Sequence, residues 1–390
     1  MNIKDDFDRC RDYSTSTATT AMFPSEISEG RTGRKSRSRQ FLSAFLPSLR
    51  SLGSSSPDAS LRSYLMPHID TTPVLVPPRR LLVSINPSIM SLIKNVCLLG
   101  ADGTLGPAIL QALINSNFTV TVLKRSSSKS PDNYPPGVIT AKVDERFAVD
   151  DLACVLEDQD ALVVTIKGTQ VDVQKRLADA CVKVNVKRLI PADFGSCDSS
   201  SDHAQDCVPL FGNKTELRSY LDDLVSKHPS FTYTSLVSGH FFDWDPAFLH
   251  IWPKGRRAEL LDAGDVKASY STLARVGQAT AHVLQLPAET ANKTLFVQSF
   301  CVTQQQITRS FERASGGLKW AVTPYDSVEY EREQKAKRDG GDKEAIENLV
   351  WLLGALESNW EEKDGFAMQL LGLQNESLDD AVANIWKGHQ

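Results

Sequence analysis

The sequence predicts an α/β fold, a doubly wound parallel sheet followed by a smaller α+β region. Two observations predict it. From residue 94 to about residue 240, short apolar runs alternate with amphipathic helical stretches, the pattern of strands joined by crossover helices. The first apolar run hands over to its helix through three glycines.

Lys94 to Arg125 reads KNVCLLGADGTLGPAILQALINSNFTVTVLKR. Val96 to Leu99 predicts a strand. Gly100, Gly103 and Gly106 make a turn, with Thr104 and Leu105 inside it. Pro107 to Ile114 carries Ile109, Leu110, Leu113 and Ile114 on one helical face, and Phe118 to Leu123 predicts a second strand. Together they form one βαβ unit. Glycines at such a handover let a pyrophosphate approach the free N–H groups and the positive dipole end of the helix. Gly100, Gly103, Thr104, Leu105 and Gly106 are therefore candidate cofactor-binding residues of a Rossmann-type domain.

The second strand ends in Lys124 and Arg125, and no acid follows until Asp132. An NAD site usually places a carboxylate there for the ribose hydroxyls; an NADP site uses a cation for the 2′-phosphate. Lys124 and Arg125 thus point to NADP(H). The plain alternative is a solvated surface charge. Asp102, inside the turn, would repel phosphate. It is expected to point away or to hydrogen-bond the turn's own backbone.

Val138–Val143 predicts a third strand, Ala161–Ile166 a fourth and Val186–Pro191 a fifth, with helices at Ala148–Leu156 and Gln170–Lys183. Ligands bind at the carboxyl ends of parallel strands. Lys167 and Gly168, just after the fourth strand, therefore join the cofactor candidates.

Composition narrows the class. The chain has 390 residues, 41% hydrophobic and 23% charged, as a soluble globular protein would. No apolar run approaches the ~18 residues that span a bilayer, so no membrane partner is expected. Seven scattered cysteines without a CxxC pair suit a reducing, cytoplasmic location and give no metal site. Residues 1–89 hold 12 Lys and Arg against 8 Asp and Glu, a net +4. This Ser/Arg-rich extension is expected to be disordered. Asp5, Asp6, Asp8 and Asp12 argue against a transit peptide, and Met90 is expected to be the natural start or a second one. Residues 90–390 carry 31 basic and 40 acidic residues, a net −9, which argues against nucleic-acid binding by the folded part. A dinucleotide-binding domain is expected over 90–240, and a substrate-binding region interleaved with it over 241–390.

After the fifth strand come RLIPADFGS (Arg188–Ser196), a polar loop (Cys197–Asp206) and FGNKTELRSYLDDLVSKH, which predicts a helix. FTYTSLVSGHFFDW (Phe231–Trp244) reads as a sixth strand and an aromatic segment. These stretches resemble the isoflavone reductase-like branch of the NmrA-like family, an atypical short-chain dehydrogenase/reductase group. LLDAGDVKASYSTLARVGQATAHVL and KTLFVQSFCVTQQQITRSFERASG look like its fungal-type members. The likeness spans about residues 94–320, with Ala192-Asp193 in place of the family's Ser-Glu. It implies an NADPH-dependent reductase of a small aromatic or secondary metabolite, with Lys214 as proton donor or relay and the C-terminal part as a lid.

The residue chemistry agrees with that implication. A lysine near a nicotinamide ribose can hold the cofactor and give up a proton, the more readily when burial lowers its pKa. The bland alternative is a surface lysine beside Glu216 and Asp222. No tyrosine is followed four positions later by lysine, so the usual short-chain dehydrogenase dyad is missing. His240, Phe241 and Phe242 are candidates for a substrate wall, with plain core packing an equal alternative. Asp193 is a candidate to orient Lys214. Helices are also expected at Thr272–Leu284, Thr303–Ala314, Leu349–Leu356 and Phe366–Leu373. Two functions stay open: the reductase, and a non-catalytic NAD(P)-binding redox sensor of the NmrA type.

Overall fold

The computed structural model describes residues 92–389. The N-terminal extension and Met90 lie outside these residues. The chain runs β1 (Asn95–Leu99), α1 (Gly106–Asn115), β2 (Thr119–Arg125), β3 (Ile139–Val143), α2 (Val149–Leu156), β4 (Ala161–Val164), α3 (Val171–Lys183), β5 (Arg188–Ile190), α4 (Asp202–Cys207), α5 (Pro209–Lys227) and β6 (Thr232–Val237). It continues with β7 (His240–Phe241), β8 (Ile251–Trp252), β9 (Arg257–Leu261), β10 (Lys267–Ser271), α6 (Leu273–Gln285), β11 (Lys293–Phe296), β12 (Phe300–Thr303), α7 (Gln304–Ala314), β13 (Ala321–Tyr325), α8 (Ser327–Asp339), α9 (Lys343–Leu356) and α10 (Leu378–Lys387).

Seven strands form one sheet in the order β11-β6-β5-β4-β1-β2-β3, and every neighbouring pair is parallel. The chain builds outward from β1 to β3, then crosses back to β4. The order reverses between β1 and β4, and that is where an open α/β sheet takes its ligand. Alternate side chains of β1 serve opposite faces. Val96 and Leu98 pack with Ile109, Leu113 and Val276 on one side, and Cys97 and Leu99 with Leu152, Leu177 and Leu217 on the other. Helices α1 and α6 meet so closely that a Cβ on Gly277 would lie 2.5 Å from the Ala108 carbonyl oxygen.

The C-terminal half returns to this sheet through β11, beside β6. Arg188 ties that return down. It is fully buried and, among the described residues, has no carboxylate partner; burial pushes its pKa down to about 10. Its guanidinium donates to the hydroxyls of Thr232, Thr234 and Thr290, each at 2.9 Å, and to the Pro287 carbonyl at 2.5 Å. Those hydroxyls donate onward to backbone carbonyls, so each polar group in the cluster has a partner. β5, β6 and the connection into β11 thus share one side chain.

The remaining strands form two small sheets, β12-β10-β7 and β13-β9-β8. Two expectations fail. The loop at Cys197–Asp206 contains most of α4, whose start the Ser201 hydroxyl caps by accepting from the Ala204 N–H. Phe366–Leu373 is not a helix. Gly365 just before it has φ +88° and Gly372 within it φ +63°, and Phe366 makes a parallel bridge to Phe296. Its apolar periodicity comes instead from Ala367, Met368, Leu371 and Leu373 packing onto the core beside β11.

Arg188→Lys keeps the charge and loses the fork. Leaving two of the four buried acceptors unpaired predicts a loss of about 2–5 kcal/mol, read by urea unfolding. An unchanged midpoint would mean that Arg188 does not anchor β11.

Candidate functional site

The site lies at the carboxyl edge of the central sheet, around the gap between β1 and β4. Gly100 has φ +98°, and a Cβ there would sit 2.5 Å from Thr165 Oγ1. A Cβ on Gly106 would sit 2.2 Å from the Gly100 carbonyl oxygen. Only glycine fits either position. The Thr165 hydroxyl lies 3.0 Å from both the Leu99 and the Gly100 carbonyl oxygens, and the Gly103 N–H donates to the Gly100 carbonyl at 3.0 Å. Leu105 is buried and Thr104 exposed. Helix α1 then begins without a side-chain cap and without an acid in its first turn. Its first N–H groups and positive dipole end remain available to an anion.

A cavity of about 420 Å³ opens beside this turn, lined among others by Gly103, Arg125, Ser128 and Lys167. Arg125 and Lys167 are exposed; among the described residues, no carboxylate lies within ion-pair distance of either. Lys124 differs. Its side chain is 3% exposed and pairs with Asp102 at 3.1 Å and Asp132 at 2.9 Å. Its ammonium also donates to the Ser130 carbonyl at 2.8 Å. The charge of Lys124 is committed to the protein itself.

The same contacts account for Asp102, which bonds Tyr134 and Lys124 and not the backbone of its own turn. Its carboxylate accepts from the Tyr134 hydroxyl at 2.7 Å and pairs with Lys124. Burial pushes its pKa up, but Tyr134 and Lys124 more than offset this and hold it below the ordinary carboxylate value. The acid beside the phosphate turn is thereby neutralised.

Across the gap, Lys214 stands on α5, one turn after Phe211. A Cβ on Gly168 would lie 3.6 Å from its Cε, and one on Gly195 3.2 Å from its Nζ. Lys214 Nζ donates to the Asp193 carbonyl and lies 3.6 Å from Asp193 Oδ1. Arg218, one turn further along α5, grips the other carboxylate oxygen with Nε at 2.7 Å and Nη2 at 2.6 Å. Burial pulls the Lys214 pKa below the usual lysine value, against the opposing pull of the Asp193 charge. The cavity beside it measures about 10 Å³, room for about one water molecule.

His240 and Phe242 are not in either cavity. His240 is buried with Nε2 3.2 Å from the Trp351 carbonyl oxygen, and burial lowers its pKa to about 4, so it is neutral at physiological pH. Phe242 is fully buried edge-on against Phe300, and Phe241 is half-buried against the central core. From this aromatic segment and the residues after it, Trp244 and Phe248 reach open space. With Trp252, Tyr325 and Tyr330 they line a separate cavity of about 670 Å³. Asp243 and Asp245 are taken up by backbone N–H groups of Leu273 and Ala247. Sequence reasoning missed Arg218, Thr165 and Tyr134. The four-residue spacing of Lys214 and Arg218 was a usable signal; Tyr134 sits in an irregular loop and gave none.

Lys124→Met would leave Asp102 and Asp132 without their cation. Both carboxylates reach solvent, so the expected loss at pH 7 is about 1–2 kcal/mol, less than for a fully enclosed pair. The pKa values of Asp102 and Asp132 are depressed in the folded state. That stabilisation is present above the ordinary carboxylate range and is lost as pH falls through the folded values. The gap between mutant and wild type in thermal unfolding should close in acid; a gap independent of pH would contradict the pairing.

A model of the NmrA-like family matches residues 93–323. The chain is 28% identical over 299 residues to "Oxidoreductase aprR" of Aspergillus flavus, covering 75% of this chain and 99% of that protein. Its fold is similar to that of AtPrR2 solved with NADP+ and (+)pinoresinol, at TM-score 0.61 and 19% identity, covering 76% of this chain and 99% of the other. It is likewise similar to isoflavone reductase, at TM-score 0.59 and 19% identity, covering 75% and 99%.

Proposed function

The chain belongs to the NmrA-like family, and from that premise we propose that it is an NADP(H)-dependent reductase of a small aromatic or secondary metabolite. One observation carries the reading: a buried lysine on the carboxyl edge of the sheet, with Gly168 and Gly195 against it, one strand away from an uncapped glycine turn. The oxidoreductase relative from Aspergillus flavus and the pinoresinol-bound neighbour support it.

The residues present suit NADP(H). Gly100, Gly103 and Gly106 bring backbone to the start of α1, where N–H groups without a cap take the pyrophosphate. Arg125 takes the 2′-phosphate, as the exposed guanidinium at the end of β2. Lys124 supports the turn from beneath by holding Asp102. Lys167 and Gly168 line the path from the phosphates towards Lys214. When bound, the nicotinamide supplies a hydride.

The protein's part is to hold and move a proton. Lys214 Nζ carries it, oriented by the Asp193 carbonyl. Arg218 fixes the Asp193 carboxylate, and so fixes the field that Lys214 feels. Burial lowers the pKa of Lys214 and eases release of the proton to a nascent anion. The close enclosure of Lys214 favours a second reading, a dinucleotide sensor that binds the cofactor without turnover.

Fluorescence titration of the full chain with NADPH and NADH checks the phosphate site. Arg125→Ala should weaken NADPH binding at least about tenfold, the scale of one charge-assisted contact, and leave NADH binding nearly unchanged. Equal losses for both nucleotides would remove Arg125 from the 2′-phosphate. NADPH consumption across a panel of aromatic metabolites separates reductase from sensor, with Lys214→Ala as the control.

The pH profile tests the proton donor. Lys214 donates only below its pKa, and the Asp193 charge raises that pKa. Asp193→Asn should therefore move the alkaline limb of kcat to lower pH. A limb that stays in place would contradict donation by Lys214.

A further inference from the structure

Away from the glycine turn and Lys214, α4, α8 and the end of α9 converge on one imidazole. His203 and Cys207 lie four residues apart on α4, so both face the same way. Glu331 approaches from α8. Among the described residues, one nitrogen of His203, the thiol sulfur of Cys207 and a carboxylate oxygen of Glu331 all lie within 4.8 Å of one another. His203 Nε2 is 3.4 Å from Cys207 Sγ and 3.1 Å from Glu331 Oε1. Metal–ligand bonds of ~2.0–2.3 Å in a tetrahedron put neighbouring ligand atoms roughly 3.3–3.8 Å apart. Both distances from His203 Nε2 are close to those values.

The other face of the imidazole is held as well. His203 Nδ1 lies 2.5 Å from Glu357 Oε1, just past the end of α9. A carboxylate on the far nitrogen is the usual way a metal-binding histidine is fixed in tautomer and orientation. An imidazolium between two glutamates would satisfy Nδ1 and Nε2 without a metal. Nε2 carries a single hydrogen, and both Glu331 Oε1 and Cys207 Sγ face it; the Lys335 ammonium also reaches Glu331 and Cys207. A cation at that point serves all three.

We propose that His203 Nε2, Cys207 Sγ and Glu331 form a site for a borderline divalent cation of the zinc type, with Glu357 as a positioning residue. Nitrogen, thiolate and carboxylate together select zinc-like ions over magnesium or calcium. On binding, Cys207 releases its thiol proton to solvent and His203 coordinates as the neutral imidazole. Lys335 now holds the Glu331 oxygen at 2.7 Å, and it also lies 2.7 Å from Asp206 Oδ2. It moves onto Asp206 when the cation enters. The cation would pin α4 to α8 and α9. Only Val208 separates α4 from α5, so the pin would brace the start of the helix that carries Phe211 and Lys214.

The test is Co2+ titration of the reduced full chain, followed by near-ultraviolet absorption. A thiolate-to-cobalt charge-transfer band should saturate at one equivalent and be displaced by Zn2+. Cys207→Ser should abolish the band. His203→Asn should weaken binding at least about tenfold, and Glu357→Gln should weaken it by about tenfold while keeping the band. Lys335→Met should strengthen binding. Circular dichroism without metal establishes that each variant folds; should Cys207→Ser not fold, the His203→Asn and Lys335→Met affinities decide. No band in the wild type overturns the site, as does a band that survives Cys207→Ser or an affinity indifferent to His203→Asn. Each of those outcomes leaves the histidine–glutamate ion pairs as the whole explanation.

Discussion

The structure depends on a close approach of backbone to backbone between β1 and α1. With no Cβ at Gly100 or Gly106, the turn folds onto itself and onto Thr165 of the neighbouring strand connection. That contact sets where α1 starts, and with it where the unpaired N–H groups point. It also sets how closely α1 lies over the sheet, and α6 packs against α1 through Gly277. Larger residues would force the backbone to shift: at Gly106 and Gly277 the nearest atoms are backbone carbonyls that cannot swing away, and at Gly100 the φ of +98° and the Thr165 backbone at 3.0 Å stand against a Cβ even if the Thr165 hydroxyl turns aside.

Charge is arranged in opposite ways on the two sides of the gap. Beneath the turn, a buried lysine cancels an acid that would repel phosphate, and an exposed arginine has no carboxylate within ion-pair distance among the described residues. Around Lys214, a relay of alternating charges runs outward. Lys214 faces Asp193, Asp193 is gripped by Arg218, Arg218 lies 3.9 Å from Asp198, and Asp198 pairs with Lys363 at 2.7 Å. Lys363 belongs to the C-terminal part, and its ammonium also lies over the Phe296 ring of β11. The field at Lys214 therefore connects to the C-terminal segment that carries Lys363. A change in how that segment sits would alter the proton affinity of the lysine without touching it.

Much of this was legible in the sequence. Strands buried on both faces read as short apolar runs, so the first βαβ unit and the strands after it stand close to where the pattern put them. The glycine turn was legible because its spacing has a steric cause. Lys214 needed the family resemblance, since a lone lysine on a helix says nothing of its depth. What escaped is mostly long-range. One partner of Lys124 is Asp102, 22 residues away in sequence, and no local pattern encodes that pairing. For His240 and Phe242, pocket wall and core packing were both open, because aromatics serve cores and pockets alike; in the structure they pack against Trp351 and Phe300. Phe366–Leu373 carried helical spacing, but two glycines in left-handed conformations broke the helix.

The central claim is that Arg125 and Lys214 mark the two ends of one bound NADP(H). A crystal structure of the full chain with NADP+ tests it most directly. The account predicts the 2′-phosphate within hydrogen-bond distance of the Arg125 guanidinium and the nicotinamide ribose within reach of Lys214 Nζ. A nucleotide whose 2′-phosphate ignores Arg125, or whose nicotinamide lies away from Lys214, would contradict it.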